Sequence, residues 1–363
     1  MNVESHDRIE PLAHEWDDLA DRTRAAPWLR PGWIDAWWKA FGAGELRVLA
    51  ARRDGRLAGV IPLQYRAGAL SSTTNSHTPE FSPLVEDATV GRELAEALFC
   101  DRPRRISLAF LDEDKPGLSQ CRAAAAVAGY RLLERPRARS PYIQFEGGWD
   151  AYEKHLSKNL RKELSRQERR LQSMGRLSFQ ICEGTDRLDE LLDEGFRIEA
   201  SGWKGARGTA IASRPETRRF YTEIAHWAAA RGCLRLAFHR LDGRAFSFHF
   251  NVAGDDTYYH LKTGYDPAYR RFSPGHLTMR AVIREVVTNG FARFDLLGAD
   301  DPYKLAWSTS FTEKKLLLAF APTLPGFVDW ATFAYARPLA RRMLERRPAR
   351  HDGGGEGRAS ARR

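Results

Sequence analysis

Apolar and polar positions in this chain fall into short alternating runs punctuated by Asp-Gly, Gly and Pro, and one such unit occurs twice. Leu46 to Arg56 reads LRVLAARRDGR, and Leu234 to Arg244 reads LRLAFHRLDGR. Six of the eleven positions are identical, at an offset of 188 residues. In each copy an apolar strand runs into Asp-Gly, the pair favoured in type I′ hairpin turns, and a second strand follows. These second strands are Leu57 to Leu63 and Ala245 to Phe250.

Around the second copy the pattern is continuous. It predicts a strand over 177–182, a helix over 186–200 and another over 217–231 closed by Gly232. Strands follow at 234–239, 245–252 and 258–264. A helix over 274–289 starts at Pro274 and stops before Gly290. A strand at 291–297, a short helical piece at 301–309 and a last strand at 315–320 complete the order βααβββαβαβ. The first copy sits in a shorter version: helices near 15–22 and 31–41, the hairpin, a polar loop at 67–78, a helix near 90–98 and a strand at 105–110. Antiparallel meanders flanked by helices make this an α+β fold with a mixed sheet.

Two segments stand outside that scheme. Residues 150–174 read as one long helix with Leu156, Leu160, Leu164 and Leu171 on a stripe and seven cations over much of the rest. After Pro325, residues 327–346 are aromatic and then arginine-rich, while the chain from Pro348 is Gly/Arg-rich and reads as disordered.

Composition narrows the class. The 363 residues suit two domains, and ten Trp suggest large buried anchors. No apolar run is long enough to span a bilayer or to resemble a signal peptide, so a cytoplasmic location is expected. Cys100, Cys121, Cys182 and Cys233 are widely spaced and read as reduced thiols, not a disulfide frame or zinc site. Part of the +10 net charge lies in the C-terminal tail. The mildly basic remainder fits a coenzyme pyrophosphate as well as a nucleic acid.

Several stretches together resemble a known family. They are Trp28 to Trp37 (WLRPGWIDAW), Gly59 to Leu63, His77 to Leu84 (HTPEFSPL), Lys158 to Lys162 (KNLRK) and Glu199 to Lys204 (EASGWK). They continue with Leu261 to Pro267 (LKTGYDP), Ser273-Pro-Gly275, Phe294 to Gly298 (FDLLG), Tyr303-Lys304 and Trp307. In order and spacing these are similar to the CelD/BcsL-type acyltransferases, relatives of the Fem peptidyltransferases within the GNAT superfamily. The resemblance implies tandem GNAT-like domains: residues 1–140, degenerate, and 141–325, catalytic and including the basic helix 150–174. A C-terminal helix at 326–347 and the basic tail 348–363 follow. It also implies transfer of an acyl group from acyl-CoA, with the acceptor left open.

Such a transfer needs a grip on pantetheine and pyrophosphate, a base for the acceptor and an acid for the leaving thiolate. The turn Tyr269 to His276 leads from a strand into a helix start, where N–H groups and the helix dipole favour an anion. Arg270, Arg271, Ser273, Gly275, His276 and Leu277 are the candidate donor-binding residues. The superfamily's usual second glycine is absent, Pro274 preceding Gly275.

Asp295 and Glu199 are the candidate bases. Asp295 either pairs with Arg293, same-face by strand alternation, or works on substrate. His260 and His77 rank behind them. Tyr303 is the candidate acid. Lys204, Lys262 and Lys304 would bind an anionic acceptor or an oxyanion, and Trp203 or Trp307 would stack a sugar ring. No nucleophilic relay or metal motif is present, so direct attack on the thioester remains, with no metal required.

The acceptor would be a small polar molecule, an amino sugar or a saccharide precursor, acylated on nitrogen or less readily on oxygen. The basic helix keeps a rival open, a Fem-like aminoacyl-tRNA donor; otherwise nucleic acid is not expected as a partner. A non-catalytic accessory of exopolysaccharide synthesis is the third reading. The C-terminal helix would either lie on a membrane or dock on the N-terminal half.

Overall fold

The structure is a computed structural model describing residues 2–337 and 339, with only the backbone of Trp203. The N-terminal half opens with β1 (Asn2–His6), α1 (Ala13–Arg22) and α2 (Pro31–Phe41), then β2 (Glu45–Arg53), β3 (Arg56–Arg66) and β4 (Ala69–Ser72). It continues through β5 (Leu84–Val85), α3 (Ala88–Ala97), β6 (Arg105–Asp112), α4 (Leu118–Val127) and β7 (Arg131–Gln144). Next come α5 (Trp149–His155), α6 (Lys158–Gln172), β8 (Leu177–Cys182), α7 (Leu188–Ala200), α8 (Trp203–Ala206) and α9 (Pro215–Ala230). The C-terminal meander is β9 (Leu234–Leu241), β10 (Arg244–Ala253) and β11 (Thr257–Tyr265). It precedes α10 (Pro274–Thr288), β12 (Arg293–Asp295), α11 (Pro302–Leu305), β13 (Ser310–Phe320) and α12 (Leu324–Ala331).

These strands make one mixed, mostly antiparallel sheet flanked by helices, ordered β1-β2-β3-β4-β6-β13-β7-β12-β11-β10-β9-β8 with β5 beside β3. The order reads alike from both ends. Each half has four antiparallel strands (β1 to β4, β8 to β11) and then a parallel partner, β6 or β12. The halves join by exchange: β13, reached from the C-terminal half, lies between β6 and β7 and pairs with both. The repeat explains the likeness. Asp54 and Gly55 have φ of 53° and 78°, and Asp242 and Gly243 have 49° and 83°. Both hairpins therefore turn in the twist-matched type I′ geometry.

Helices cover both faces of the C-terminal strands. On one face Phe238, Phe248, Phe250 and Val252 pack with α7 and α9, and Trp33 and Trp37 of α2 join the same core across the halves. Gly32 permits that approach, since a Cβ there would fall 2.2 Å from Trp227 Nε1. On the other face α10 contributes Leu277, Val282, Ile283 and Val286, joined by Leu164 and Leu171 of α6.

Three expectations change. The long helix is two, because Leu156 is extended (ψ 140°) and Ser157 caps a fresh helix by accepting from the Leu160 N–H at 3.2 Å. The strand expected over 291–297 is confined to Arg293–Asp295, since Leu297 turns left-handed at φ 51°. β7 was missed; its Pro136 and Pro141 argue against a strand, yet Pro136 sits where the β13 register shifts. The helix expected at 326–347 is described only to Arg337 and at Leu339; its remainder and the tail 348–363 lie outside the described residues. Among the described residues no helix is long and apolar enough to cross a membrane.

Candidate active site

The parallel strands β11 and β12 pair over three residues only, Thr257 to Tyr259 against Arg293 to Asp295. Beyond that they part. Asn251 pairs with His260 and Phe250 with Lys262, which leaves Leu261 as an unmatched bulge residue at the start of the gap. A bulge bends its strand and re-aims backbone groups. On the other wall the chain after β12 swings away through Leu297 (φ 51°) and Gly298 (φ 64°). Polar groups line the opening. Lys204 Nζ donates to the Thr263 carbonyl at 2.6 Å on the β11 wall, and Lys304 Nζ donates to Leu297 O (2.7 Å) and Ala299 O (3.1 Å) on the other. Burial lowers the Lys304 pKa, against the pull of Asp301 at 3.3 Å.

The α10 start stands at the same end of β11. Ser273 is left-handed (φ 53°) and makes no side-chain cap. The His276 and Leu277 amides return to the Ser273 carbonyl at 3.0 and 3.1 Å. The Gly275 N–H, at the second helical position, has no carbonyl within its own helix to reach. A Cβ on Gly275 would meet only the Tyr265 ring at 3.7 Å, so space remains above it. Arg270 and Arg271 are exposed beside this turn, and the Leu277 side chain is buried in the core. His276 accepts from Trp307 Nε1 at 3.1 Å, and burial lowers its pKa. The ring expected to stack a sugar, Trp307, is instead buried beneath the site, because its indole is spent on His276 and its carbonyl on Tyr152.

A second group converges where α7, α8 and α9 meet β11 and the polar loop of the N-terminal half. Glu199 is buried; one oxygen accepts from the Ile211 N–H at 2.8 Å and the other lies 3.3 Å from Lys204 Nζ. Gly264 lets α7 this close, since a Cβ there would sit 2.3 Å from Glu199 Cα. Lys262 Nζ stands 5.6 Å over the Tyr221 ring. Burial, then the neighbouring Lys204 charge, lowers its pKa to about 8. Tyr221 Oη meets His77 Nδ1 at 3.4 Å, and His77 stacks on Phe41. Burial, then Lys262 and Arg214, holds His77 neutral with a pKa of about 3. This cluster draws its side chains from both halves.

The other candidates are placed as follows. Asp295 is buried and engaged at both oxygens: Oδ2 accepts from Arg293 at 2.7 Å and Oδ1 from the Leu297 N–H at 2.9 Å. It is the paired carboxylate of the two alternatives. Tyr303 is partly exposed next to Lys304; burial of its phenol, then the Asp301 charge, raises its pKa, so the phenol keeps its proton at neutral pH. Trp203 opens α8 immediately before Lys204.

Sequence reasoning passed over Tyr221 and His249. Ser247, His249 and Asn251 alternate with Phe246, Phe248 and Phe250 on β10 and form a polar row under α10. Asn251 donates to the Arg235 carbonyl and so presents its Oδ1 to His260 Nδ1 at 2.8 Å. The His249 ring lies 4.7 Å from that of His260, tilted by 56°, and neither of its nitrogens has a hydrogen-bond partner among the described residues. Burial keeps both imidazoles neutral, with His249 at about 3. The period-two polar row inside an apolar strand was the available signal.

Residues 158–305 match a family model described as an acetyltransferase (GNAT) domain, which spans α6 to α11 and the whole opening. No curated protein sequence matches the chain. Solved structures share the fold at low identity. FemX is 12% identical, with a TM-score of 0.58 over 87% of this chain and 97% of FemX. A domain assigned as the C-terminal part of a lysylphosphatidylglycerol synthetase from Agrobacterium fabrum is 14% identical, with a TM-score of 0.57 over 86% of this chain and 92% of that one. L-PGS from Bacillus licheniformis is 13% identical, with a TM-score of 0.51 over 87% and 97%. Residues 158–305 thus match a GNAT-type acetyltransferase domain, and these solved structures share the fold of nearly the whole chain.

Proposed function

We propose that this protein is a cytoplasmic acyltransferase whose C-terminal half holds an acyl-CoA thioester between β11 and β12 and passes the acyl group to an amine, or less readily a hydroxyl, in the pocket between the halves. The carrying observation is the coincidence at one end of the sheet of a parallel pair that parts after three residues and a helix start left uncapped. The uncapped α10 start with Arg270 and Arg271 suits a pyrophosphate, and the gap suits a pantetheine arm.

In the transfer, the acceptor's lone pair attacks the thioester carbonyl carbon, the C–S bond breaks and the thiolate takes up a proton. Glu199 stands beside the proposed acceptor pocket, with one oxygen 3.3 Å from Lys204 Nζ and without a hydrogen-bond partner among the described residues, and we assign it the acceptor's proton. Asp295 is assigned to structure. Tyr303, protonated at neutral pH, is assigned to the leaving thiolate, and Lys204 and Lys304 to the oxyanion. Lys262 and Lys204 suit an acceptor that carries negative charge, such as an acidic saccharide precursor, within a CelD/BcsL-type role. Titration of acyl-CoAs of increasing chain length tests this reading. Gly275→Trp fills the space above the α10 start and should abolish donor affinity while the fold persists; unchanged affinity removes the site.

One observation favours a second reading, an aminoacyl-tRNA donor. Lys158, Lys162, Arg166, Arg169 and Arg170 are exposed along α6, which packs on the turn before α10 through Arg170 over Phe272. Salt-sensitive tRNA binding would support it. Weak, salt-insensitive affinity removes it.

A further inference from the structure

The charges on α6 work against the stability of the helix. Behind the Ser157 cap its first turn holds Lys158 and Arg161 and no acid, so cations stand at the positive end of the helix dipole. Lys158, Lys162 and Arg166 follow one another at four-residue intervals, where like charges repel. With Arg169 they form an exposed row opposite Leu160, Leu164 and Leu171, which face the core. Arg166 pairs with Glu163 at 2.7 Å, while Lys158, Lys162 and Arg169 make no ion pair among the described residues.

This basic helix adjoins the turn that leads into α10. Arg170 and Arg271 lie over the Phe272 ring at 5.3 and 4.8 Å, and Arg270 is exposed beside them. At the α10 start Pro274 has no N–H, and the His276 and Leu277 amides are spent on the Ser273 carbonyl. The Gly275 N–H alone is open in that turn, which suits a single phosphate group. From Lys158 to Arg169 the row spans about 17 Å at 1.5 Å per residue, a length that suits a protein surface better than a coenzyme. It contains no aromatic side chain on which an unpaired RNA base could stack. We propose that an acidic carrier protein, bearing the acyl group on phosphopantetheine, docks on α6 and the 270–275 turn and threads its arm between β11 and β12. This rests on the thioester reading of that opening and narrows the donor. The acceptor nitrogen bonds to the acyl carbon, the C–S bond breaks, and the amine's proton ends on the arm's thiol.

Calorimetry of the full-length protein with an acidic acyl carrier protein charged with an octanoyl group, and with octanoyl-CoA, tests this. The carrier should bind about tenfold or more tightly than octanoyl-CoA at low salt, and that advantage should vanish at high salt as surface charges are screened. Lys158→Glu/Lys162→Glu/Arg169→Glu should weaken carrier binding about tenfold or more and leave octanoyl-CoA affinity within about twofold. Its melting temperature should not fall, because acids replace cations near the helix N-terminus. A carrier bound no more tightly than octanoyl-CoA overturns the proposal and leaves the thioester reading standing. So does a triple variant that holds the carrier as the wild type does. Binding of neither donor removes both readings. Salt-sensitive tRNA binding that the triple variant loses, with the carrier unbound, overturns the proposal and gives the row to RNA.

Discussion

In the N-terminal half β4 and β6 pair in parallel from Ala69 to Ser71 against Arg105 to Ser107, and in the C-terminal half β11 and β12 do the same from Thr257 to Tyr259 against Arg293 to Asp295. Past these pairs the halves diverge. In the first, the chain folds back into its own gap: Ser72 Oγ accepts from the Ala109 N–H at 3.0 Å, and Phe81 bridges to Leu111. Glu80 enters with it and meets Lys314 at 3.0 Å, and Lys314 also meets Asp112 at 3.1 Å. The helix that follows, α3, is capped by the chain's own Asp87 carboxylate, which accepts from Thr89 and Val90. Arg53, then the Val90 amide, pulls the Asp87 pKa down to about 2. In the second half the gap is bordered by lysines on carbonyls and the α10 start has no side-chain cap. On the proposed reading, one topology becomes core or site according to whether the chain supplies the filler and the anion itself.

That contrast can be broken at its strongest point first. Lys314→Met would leave Glu80 and Asp112 buried with only the half-exposed Lys115 to answer them, and should cost about 3–5 kcal/mol in chemical denaturation. The same cluster sets an acid limb. Burial alone would raise the Glu80 pKa, but Lys314 and Lys115 outweigh it and hold it at about 2 against an ordinary 4.5. Its folded pKa lies below the unfolded one, so its stabilisation is full above about pH 4.5 and drains away as pH falls towards 2. Lys314→Met should flatten that limb.

Ser273→Asp would give α10 the anion that α3 already has. Asp tolerates the left-handed backbone there, and donor affinity should fall about tenfold or more by calorimetry as two negative groups compete for one helix end. The reciprocal Asp87→Ala is the smallest change. It should lower the melting temperature slightly and leave donor affinity untouched, because the gap beside α3 remains filled.

The repeat and the meander were legible because type I′ Asp-Gly turns and period-two alternation are local signals. The exchange of β7 and β13 was not legible, since two prolines mask β7 and strand partners far apart in sequence leave no periodic trace. Among candidate site residues, strand alternation offered the Asp295–Arg293 pair as one of two alternatives, and only the structure chose between them. The burial of Trp307 did not, because an aromatic before a strand reads alike whether its face meets solvent or His276. Tyr221, on an ordinary amphipathic helix, becomes notable only when α9 brings it against His77 and Lys262 from other parts of the chain.

Native mass spectrometry of the full chain with a short-chain acyl-CoA tests the asymmetry of the halves most directly. One adduct per chain, absent from Gly275→Trp and retained in Asp87→Ala, is the predicted result. Two adducts per chain, or one that survives Gly275→Trp, would contradict the assignment of the donor to the C-terminal opening.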